Sequence, residues 1–166
     1  MSRNSCVGLA FAFALASTAP AAAVGEFSSG SWKGWARFEG SKFVHCAMWA
    51  PYINRWDLLF AVNPVGELQV GLRSQKIDMT PAMIFGQKAA LRMQVDDDPV
   101  VIKAFTTLNP TTVATMFAPK DEWIGQLRTG KALRINTGRK VLRFPLKGLK
   151  EALATLQACT AKHRTT

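Results

Sequence analysis

The sequence predicts a mainly β protein: an antiparallel sandwich or partly open barrel with a short helix and a C-terminal helix packed on it. Two observations lead to this prediction. From residue 32 onward, apolar residues mostly alternate with polar ones, and turn sequences separate the alternating runs, as in half-buried strands. Helical spacing occurs in only two segments, both in the C-terminal half of the 166-residue chain.

Residues 1–23 are interpreted as a signal peptide. Arg3 supplies a weakly positive start, residues 7–16 form a short apolar core, and the run from Ala21 to Ala23 provides the small residues that signal peptidase requires. The apolar core is too short to span a bilayer, and no later run reaches the ~20 apolar residues of a membrane helix. We therefore expect a periplasmic or secreted protein without a transmembrane segment; the alternative is an uncleaved N-terminal anchor.

The rest of the chain is expected to form one domain with short extensions. Residues 24–31 are small and polar and predict a flexible leader, residues 32–160 a single β-rich domain, and residues 161–166 a basic tail. Period-two alternation places the strands at 32–38, 42–49, 55–62, 68–72, 88–95, 100–105, 111–116, 131–136 and 140–145. The acidic run 96–98 before Pro99 is interpreted as a solvated hairpin turn, because three consecutive carboxylates splay apart and suit calcium poorly.

Two helices are predicted near the C-terminus. The first has Pro119 at its first helical position, acids at Asp121 and Glu122, and Gly130 as its terminator. The last runs from about residue 147 to residue 159. Its apolar stripe consists of Leu149, Ala152, Leu153, Leu156 and Cys159.

Cysteine usage predicts one crosslink. Cys6 leaves with the signal, so Cys46 and Cys159 have only each other as intramolecular partners in an oxidising compartment. Their bridge would tie the last helix to the second strand and, in the chain-entropy treatment, contribute roughly 4–5 kcal/mol. Two free thiols or a metal site are the weaker alternatives, because zinc needs three or four ligands and His45 points to the opposite strand face. No metal and no cofactor are expected.

The charge distribution suggests a binding surface. The formal net charge is +10, and the segment 123–150 holds eight basic residues and no acid. Such a one-sided field concentrates anions, and in an exported protein these are acidic phospholipids, lipopolysaccharide phosphates, acidic glycans or acidic proteins, with no physiological nucleic acid. The alternative is that these residues are solvated faces of two strands and a helix. The candidate anion-binding residues are Arg128, Lys131, Arg134, Arg139, Lys140 and Arg143.

Tryptophans suggest a second binding surface. Four of the five lie in the first third of the chain, and Trp32 and Trp35 fall on opposite faces of one strand. An exposed tryptophan on a sheet suits protein contact or sugar stacking, so both are candidate partner-binding residues. The alternative is that the tryptophans fill the core.

Three segments in order resemble exported α-proteobacterial proteins related to invasion-associated locus B. They are the strand and aspartate turn at 91–96, the L-x-x-G-x-x-L-x-I stretch at 127–135, and the L-x-G-x-x-x-A-L-x-x-L run at 146–156. The resemblance covers roughly residues 71–159. The family tends to place a cysteine pair where this chain has residues 105–116 without cysteine, so the bridge here must be wired differently. The resemblance implies a non-enzymatic, β-rich envelope protein, sometimes linked to host-cell entry.

The expected function is therefore binding rather than catalysis. His45 is the one credible general base for a serine nucleophile, and no G-x-S-x-G elbow is present. We expect an exported envelope protein whose basic surface meets an anionic envelope or host partner. A periplasmic inhibitor or accessory factor that docks on another exported protein is the alternative, and a hydrolase is less favoured.

Overall fold

The computed structural model of the protein describes residues 25–52, 55–75, 88–138 and 140–164. These residues form ten strands and two helices. The strands are β1 (Phe27–Ser29), β2 (Trp32–Glu39), β3 (Lys42–Pro51), β4 (Trp56–Val62), β5 (Leu68–Ser74), β6 (Lys88–Val95), β7 (Val101–Asn109), β8 (Thr112–Phe117), β9 (Ala132–Asn136) and β10 (Val141–Pro145). The helices are α1 (Glu122–Thr129), between β8 and β9, and α2 (Leu149–Arg164), after β10.

All ten strands belong to one antiparallel sheet, which confirms the mainly β prediction. The strand order is β1-β2-β3-β4-β5-β8-β7-β6-β9-β10, so β1 and β10 are the two ends of a sheet that is not closed into a barrel. One contact joins distant parts of it: the hydroxyl of Tyr52, just after β3, donates to the carbonyl oxygen of Pro145 in β10 at 2.8 Å. The Tyr52 ring also meets the Phe144 ring edge-on, with centroids 5.0 Å apart.

The core lies between the inner face of the sheet and the two helices. Strand alternation directs Trp32, Met48 and Phe60 to this face, and each is almost completely buried. Helix α2 packs against β1 to β4 and α1 with its predicted apolar stripe, of which Leu149, Ala152, Leu153 and Leu156 are buried. The expected packing of the last helix on the sheet is confirmed.

The predicted disulfide is present. Cys46 in β3 and Cys159 in α2 are bonded across a Cα–Cα distance of 6.1 Å and 113 positions of sequence. The Thr160 hydroxyl, one residue further along, contacts the Val62 carbonyl oxygen of β4 at 3.3 Å. Helix α2 is therefore fixed to two adjacent strands, by a covalent bond and by a buried hydrogen bond.

The two termini of the described domain are more regular than the sequence predicted. The expected flexible leader contains β1, whose Phe27 lies opposite Gly34 of β2. A Cβ atom at Gly34 would overlap the Phe27 ring, so the ring occupies space that only glycine leaves free. Residues 161–164 of the expected basic tail belong to the last turn of α2. In that turn the ring of His163 packs against the rings of Phe38 and Phe43, with centroids 5.2 and 5.7 Å away.

Helix α1 begins later than predicted. Asp121 is the N-cap, since its side chain accepts a hydrogen bond from the Trp123 amide at 3.1 Å, and the helix starts at Glu122 rather than at Pro119. Its end is as predicted, at Gly130. The reason for glycine there is close packing: a Cβ would overlap the Val95 side chain, whereas the backbone is in an ordinary extended conformation with φ −73°.

Candidate functional site

Three arginines lie together on the outer face of the sheet, and we call them the arginine row: Arg92, Arg134 and Arg143. Arg134 of β9 lies directly opposite Arg143 of β10, and Gln94 of β6 is the partner of Arg134 on its other side. Arg92, two positions before Gln94, is therefore a diagonal neighbour of Arg134 on the same face. The strand order brings β6 beside β9, which sequence separation does not reveal.

The Arg134–Arg143 pair is a close one. The Leu146 amide donates to the Lys131 carbonyl, and the Thr137 amide donates to the Lys140 carbonyl. Hydrogen-bonded pairs alternate along an antiparallel ladder, so Arg134 and Arg143 form a non-hydrogen-bonded pair, in which side chains lie closest. Like charges directly opposite each other are unfavourable without a counter-charge. An anion over this face would relieve that repulsion.

A shallow cavity of about 250 Å³ lies at one side of the arginine row. Its lining comprises Arg92, Met93, Gln94, Val100, Arg134, Asn136 and Val141. Among the described residues, the one salt bridge of the row joins Arg134 to Asp97 at 2.9 Å, and the Asp97 side chain is fully exposed. Arg92 and Arg143 are exposed and have no such acidic partner in the described ranges.

The acidic turn after β6 positions this surface. Both carboxylate oxygens of Asp96 accept backbone hydrogen bonds at 2.9 Å, from the amides of Lys131 and Ala132. These hydrogen bonds, the Lys131 bond above all, hold the pKa of Asp96 below its ordinary value. The turn is thus a clamp on the start of β9, in addition to being a hairpin tip, and the solvated-turn interpretation was incomplete.

A second cationic group surrounds a depression of about 360 Å³ between the end of α1 and the start of α2. We call it the basic cleft. Its charged lining consists of Arg128, Lys131, Lys147, Lys150 and Glu151, four positive side chains and one negative. All five are exposed, and within the described ranges none of them forms a salt bridge.

The structure divides the predicted anion-binding residues between these two places. Arg128 and Lys131 line the basic cleft, whereas Arg134 and Arg143 belong to the arginine row. Lys140 is exposed in the turn between β9 and β10, and Arg139 lies outside the described residues. Lys147 and Lys150 belong to the basic excess in the sequence but were not among the predicted anion-binding residues. Their position, just before and within the first turn of the last helix, could have indicated that they lie together at the helix start.

The tryptophan prediction needs one correction. Trp32 is 1% exposed and its ring packs on Phe60 with centroids 5.5 Å apart, so it fills the core and offers no surface to a partner. Trp35 is half-buried on the outer face and remains a candidate. Nearby on the same face, the ring of Trp49 lies under the Arg73 guanidinium at 4.9 Å. Arg73 in turn donates to the buried carboxylate of Asp57 at 2.6 Å.

His45 lies on the outer face of β3, opposite Arg37 of β2. Burial, and secondarily the positive charge of Arg37, lowers its pKa, so the imidazole is neutral near pH 7. In the described part of the chain, no three His, Cys, Asp or Glu side chains come together as a metal site requires. Nor does any described helix have the length and apolar character needed to cross a bilayer.

Comparison with known proteins identifies a structural likeness. The crystal structure of invasion associated protein B from Bartonella henselae matches with a TM-score of 0.58 at 22% sequence identity. The match covers 82% of this chain and 97% of the Bartonella chain. No protein-family model matches the sequence, and no curated protein sequence does. The two proteins therefore share a fold, with the same overall architecture over nearly the whole Bartonella protein.

Proposed function

We propose that the protein is an exported interaction protein of the cell envelope, non-enzymatic, which binds an anionic partner through its basic surface. The observation that carries the proposal is the arginine row: two arginines directly opposite in a close pair, a third on the diagonal, and one exposed acid as the described counter-charge. The intramolecular disulfide and the predicted signal peptide support an oxidising compartment. The fold shared with an invasion-associated protein is in keeping with a role at the cell surface or in host contact.

The geometry favours an extended or multivalent anion over a single small one. The three arginines lie on β6, β9 and β10, which are adjacent strands in the sheet, and adjacent strands are about 4.8 Å apart. An anionic surface or acidic polymer can meet all three charges together, and each cation near an anionic membrane surface contributes about 1 kcal/mol. The salt bridge between Arg134 and Asp97 is exposed, so it contributes little to stability. Arg134 can therefore exchange Asp97 for an acidic group of a partner.

Charge reversal in the arginine row tests the proposal. The double variant Arg134→Glu/Arg143→Glu should bind vesicles containing lipopolysaccharide or acidic phospholipid at least about tenfold more weakly, because two attractive charges become repulsive. The measurement is vesicle co-sedimentation at several salt concentrations, since screening should reduce wild-type binding as well.

The matched control is Lys33→Glu/Lys42→Glu, which changes the net charge equally through exposed lysines of β2 and β3. Unchanged binding by the arginine variant, or an equal loss in the lysine control, would contradict a specific role for the row.

The other class of function is docking on another exported protein near Trp35. Cross-linking in intact cells distinguishes the two functions. Capture of a protein that is lost in Trp35→Ala but kept in the arginine variant would favour docking.

A further inference from the structure

We propose that the basic cleft is a binding site for a phosphate monoester attached to a hydroxyl-bearing group, such as a glycerol or sugar phosphate. This site is separate from the arginine row and goes beyond the proposed function. Four cations, Arg128, Lys131, Lys147 and Lys150, line one depression of about 360 Å³. Cations gathered around a concave site focus the field more strongly than the same charges spread over a convex surface.

The residues come from separate parts of the chain, so the cluster is a product of the fold. Arg128 is in the last turn of α1, Lys131 precedes β9, and Lys147 and Lys150 flank the start of α2. The backbone fixes this arrangement: the Leu146 amide donates to the Lys131 carbonyl oxygen at 2.8 Å, holding the two segments side by side. Repulsion among four cations held in a fixed frame is relieved when a dianion binds between them.

The donor set fits phosphate. Three lysines act as point charges that can each donate to a different phosphate oxygen, and the arginine can donate through two nitrogens. The start of α2, a helix of 16 residues, adds the positive end of its dipole to the same cleft. A phosphate monoester carries up to two negative charges and three terminal oxygens, so it uses more of these donors than a carboxylate does.

Glu151 determines what else the ligand carries. Its carboxylate lines the cleft among the four cations, where it would repel a second anionic group. It can accept hydrogen bonds from a hydroxyl on the group that bears the phosphate. The lining therefore selects a phosphorylated polyol over a bare polyanion, whether that polyol is soluble or is the headgroup of a lipid.

The test is titration of the disulfide-bonded protein with glycerol 3-phosphate, followed by amide NMR shifts and calorimetry. We expect saturable shifts centred on Gly130, Lys131, Gly148 and Lys150. The double variant Lys131→Gln/Lys150→Gln should bind at least about tenfold more weakly, because it loses two charge-assisted contacts. Both side chains are exposed, so the variant should fold, and its amide spectrum reports whether it does.

Two control variants separate this site from the arginine row. Lys33→Gln/Lys42→Gln, which removes the same charge as the cleft variant from lysines outside the cleft, should keep the wild-type affinity for glycerol 3-phosphate. Arg134→Gln/Arg143→Gln, which neutralises the row, should lower that affinity far less than Lys131→Gln/Lys150→Gln does. Shifts that do not saturate, shifts spread over lysines outside the cleft, or an equal loss in the Lys33/Lys42 variant would overturn the proposal. The row is tested by loss of vesicle binding in Arg134→Glu/Arg143→Glu and the cleft by loss of glycerol 3-phosphate binding in Lys131→Gln/Lys150→Gln, so failure of one proposal leaves the other measurable.

Vesicles identify the source of the phosphate. Phosphatidylinositol 4-phosphate presents a phosphate monoester on a hydroxyl-bearing ring, whereas phosphatidylglycerol presents hydroxyls beside a diester with a lower charge. At equal total charge, stronger cleft-dependent binding to vesicles containing phosphatidylinositol 4-phosphate indicates a lipid headgroup, and glycerol 3-phosphate should compete with that binding. Saturable binding of glycerol 3-phosphate without a preference between the vesicles indicates a soluble phosphorylated ligand.

Discussion

Asp96 shows how one side chain can connect two distant segments. Its backbone has φ 46°, a left-handed conformation that aspartate tolerates better than most residues. This conformation accompanies the two backbone hydrogen bonds from Lys131 and Ala132, 35 and 36 positions away. The sequence marked an acidic turn but could not show which residues the turn faces, because that depends on β9 pairing with β6.

The substitution Asp96→Asn should lower stability in a pH-dependent manner. The pKa of Asp96 is depressed from 3.8 in the folded protein, so its stabilising contribution is present above that value and is lost as the pH falls through the folded pKa. The amide side chain of the variant does not titrate in this range. Urea unfolding from neutral pH down to about pH 3 should show the wild-type advantage shrinking as the pH falls. An advantage that stays constant over this range would contradict the carboxylate's role.

At the scale of the elements, period-two alternation predicted the main strands, and helical spacing predicted the buried stripe of α2. Two short features escaped prediction for physical reasons. Strand β1 has three residues, too few for alternation, and it depends on the fit of the Phe27 ring over Gly34. The last turn of α2 is mostly polar, so it has no apolar stripe from which a helix could be predicted. Contacts of Thr160 with β4 and of His163 with Phe38 hold it against the sheet.

Helix α2 should be sensitive to truncation of its inner face. Leu156 is fully buried, so Leu156→Ala should lower the free energy of unfolding by about 2–5 kcal/mol, through lost burial and the cavity left behind. Gln157 is exposed on the same helix, and Gln157→Ala should change the free energy of unfolding by no more than about 0.5 kcal/mol. Chemical denaturation of both variants measures the difference; equal effects would mean that the stripe is not the principal contact of α2.

At the scale of the whole molecule, the sequence predicted the fold class and the crosslink but only part of the candidate site. With Cys6 assigned to the predicted signal peptide, two cysteines remain and allow one pairing, so the disulfide followed from counting. The arginine row followed only in part, because Arg92 is a neighbour of Arg134 only where β6 pairs with β9, two strands that are far apart in sequence. In the basic cleft, the hairpin of β9 and β10 brings the residues before β9 beside those after β10, and that hairpin follows from the sequence.

The disulfide should account for a large part of the total stability. The Cys46→Ala/Cys159→Ala variant should lose about 4–5 kcal/mol, since the bridge closes a loop of 113 positions and restricts the unfolded chain. Urea unfolding with and without dithiothreitol measures this. The reductant should destabilise the wild type and leave the double alanine variant unchanged. Wild-type protein that is equally stable in reductant would contradict the assignment.

The hydrogen bond between Tyr52 and Pro145 has a consequence for how the two flanks of the open sheet stay together. Burial raises the pKa of Tyr52 to about 12, so the phenol keeps its proton, and therefore its ability to donate, at and well above neutral pH. Pro145 lacks an amide hydrogen, and its carbonyl oxygen is taken by this phenol, so that end of the edge strand is closed to pairing with a foreign strand. Tyr52 thus links the end of β3 to β10 and protects the edge of β10 at Pro145 from pairing with another chain.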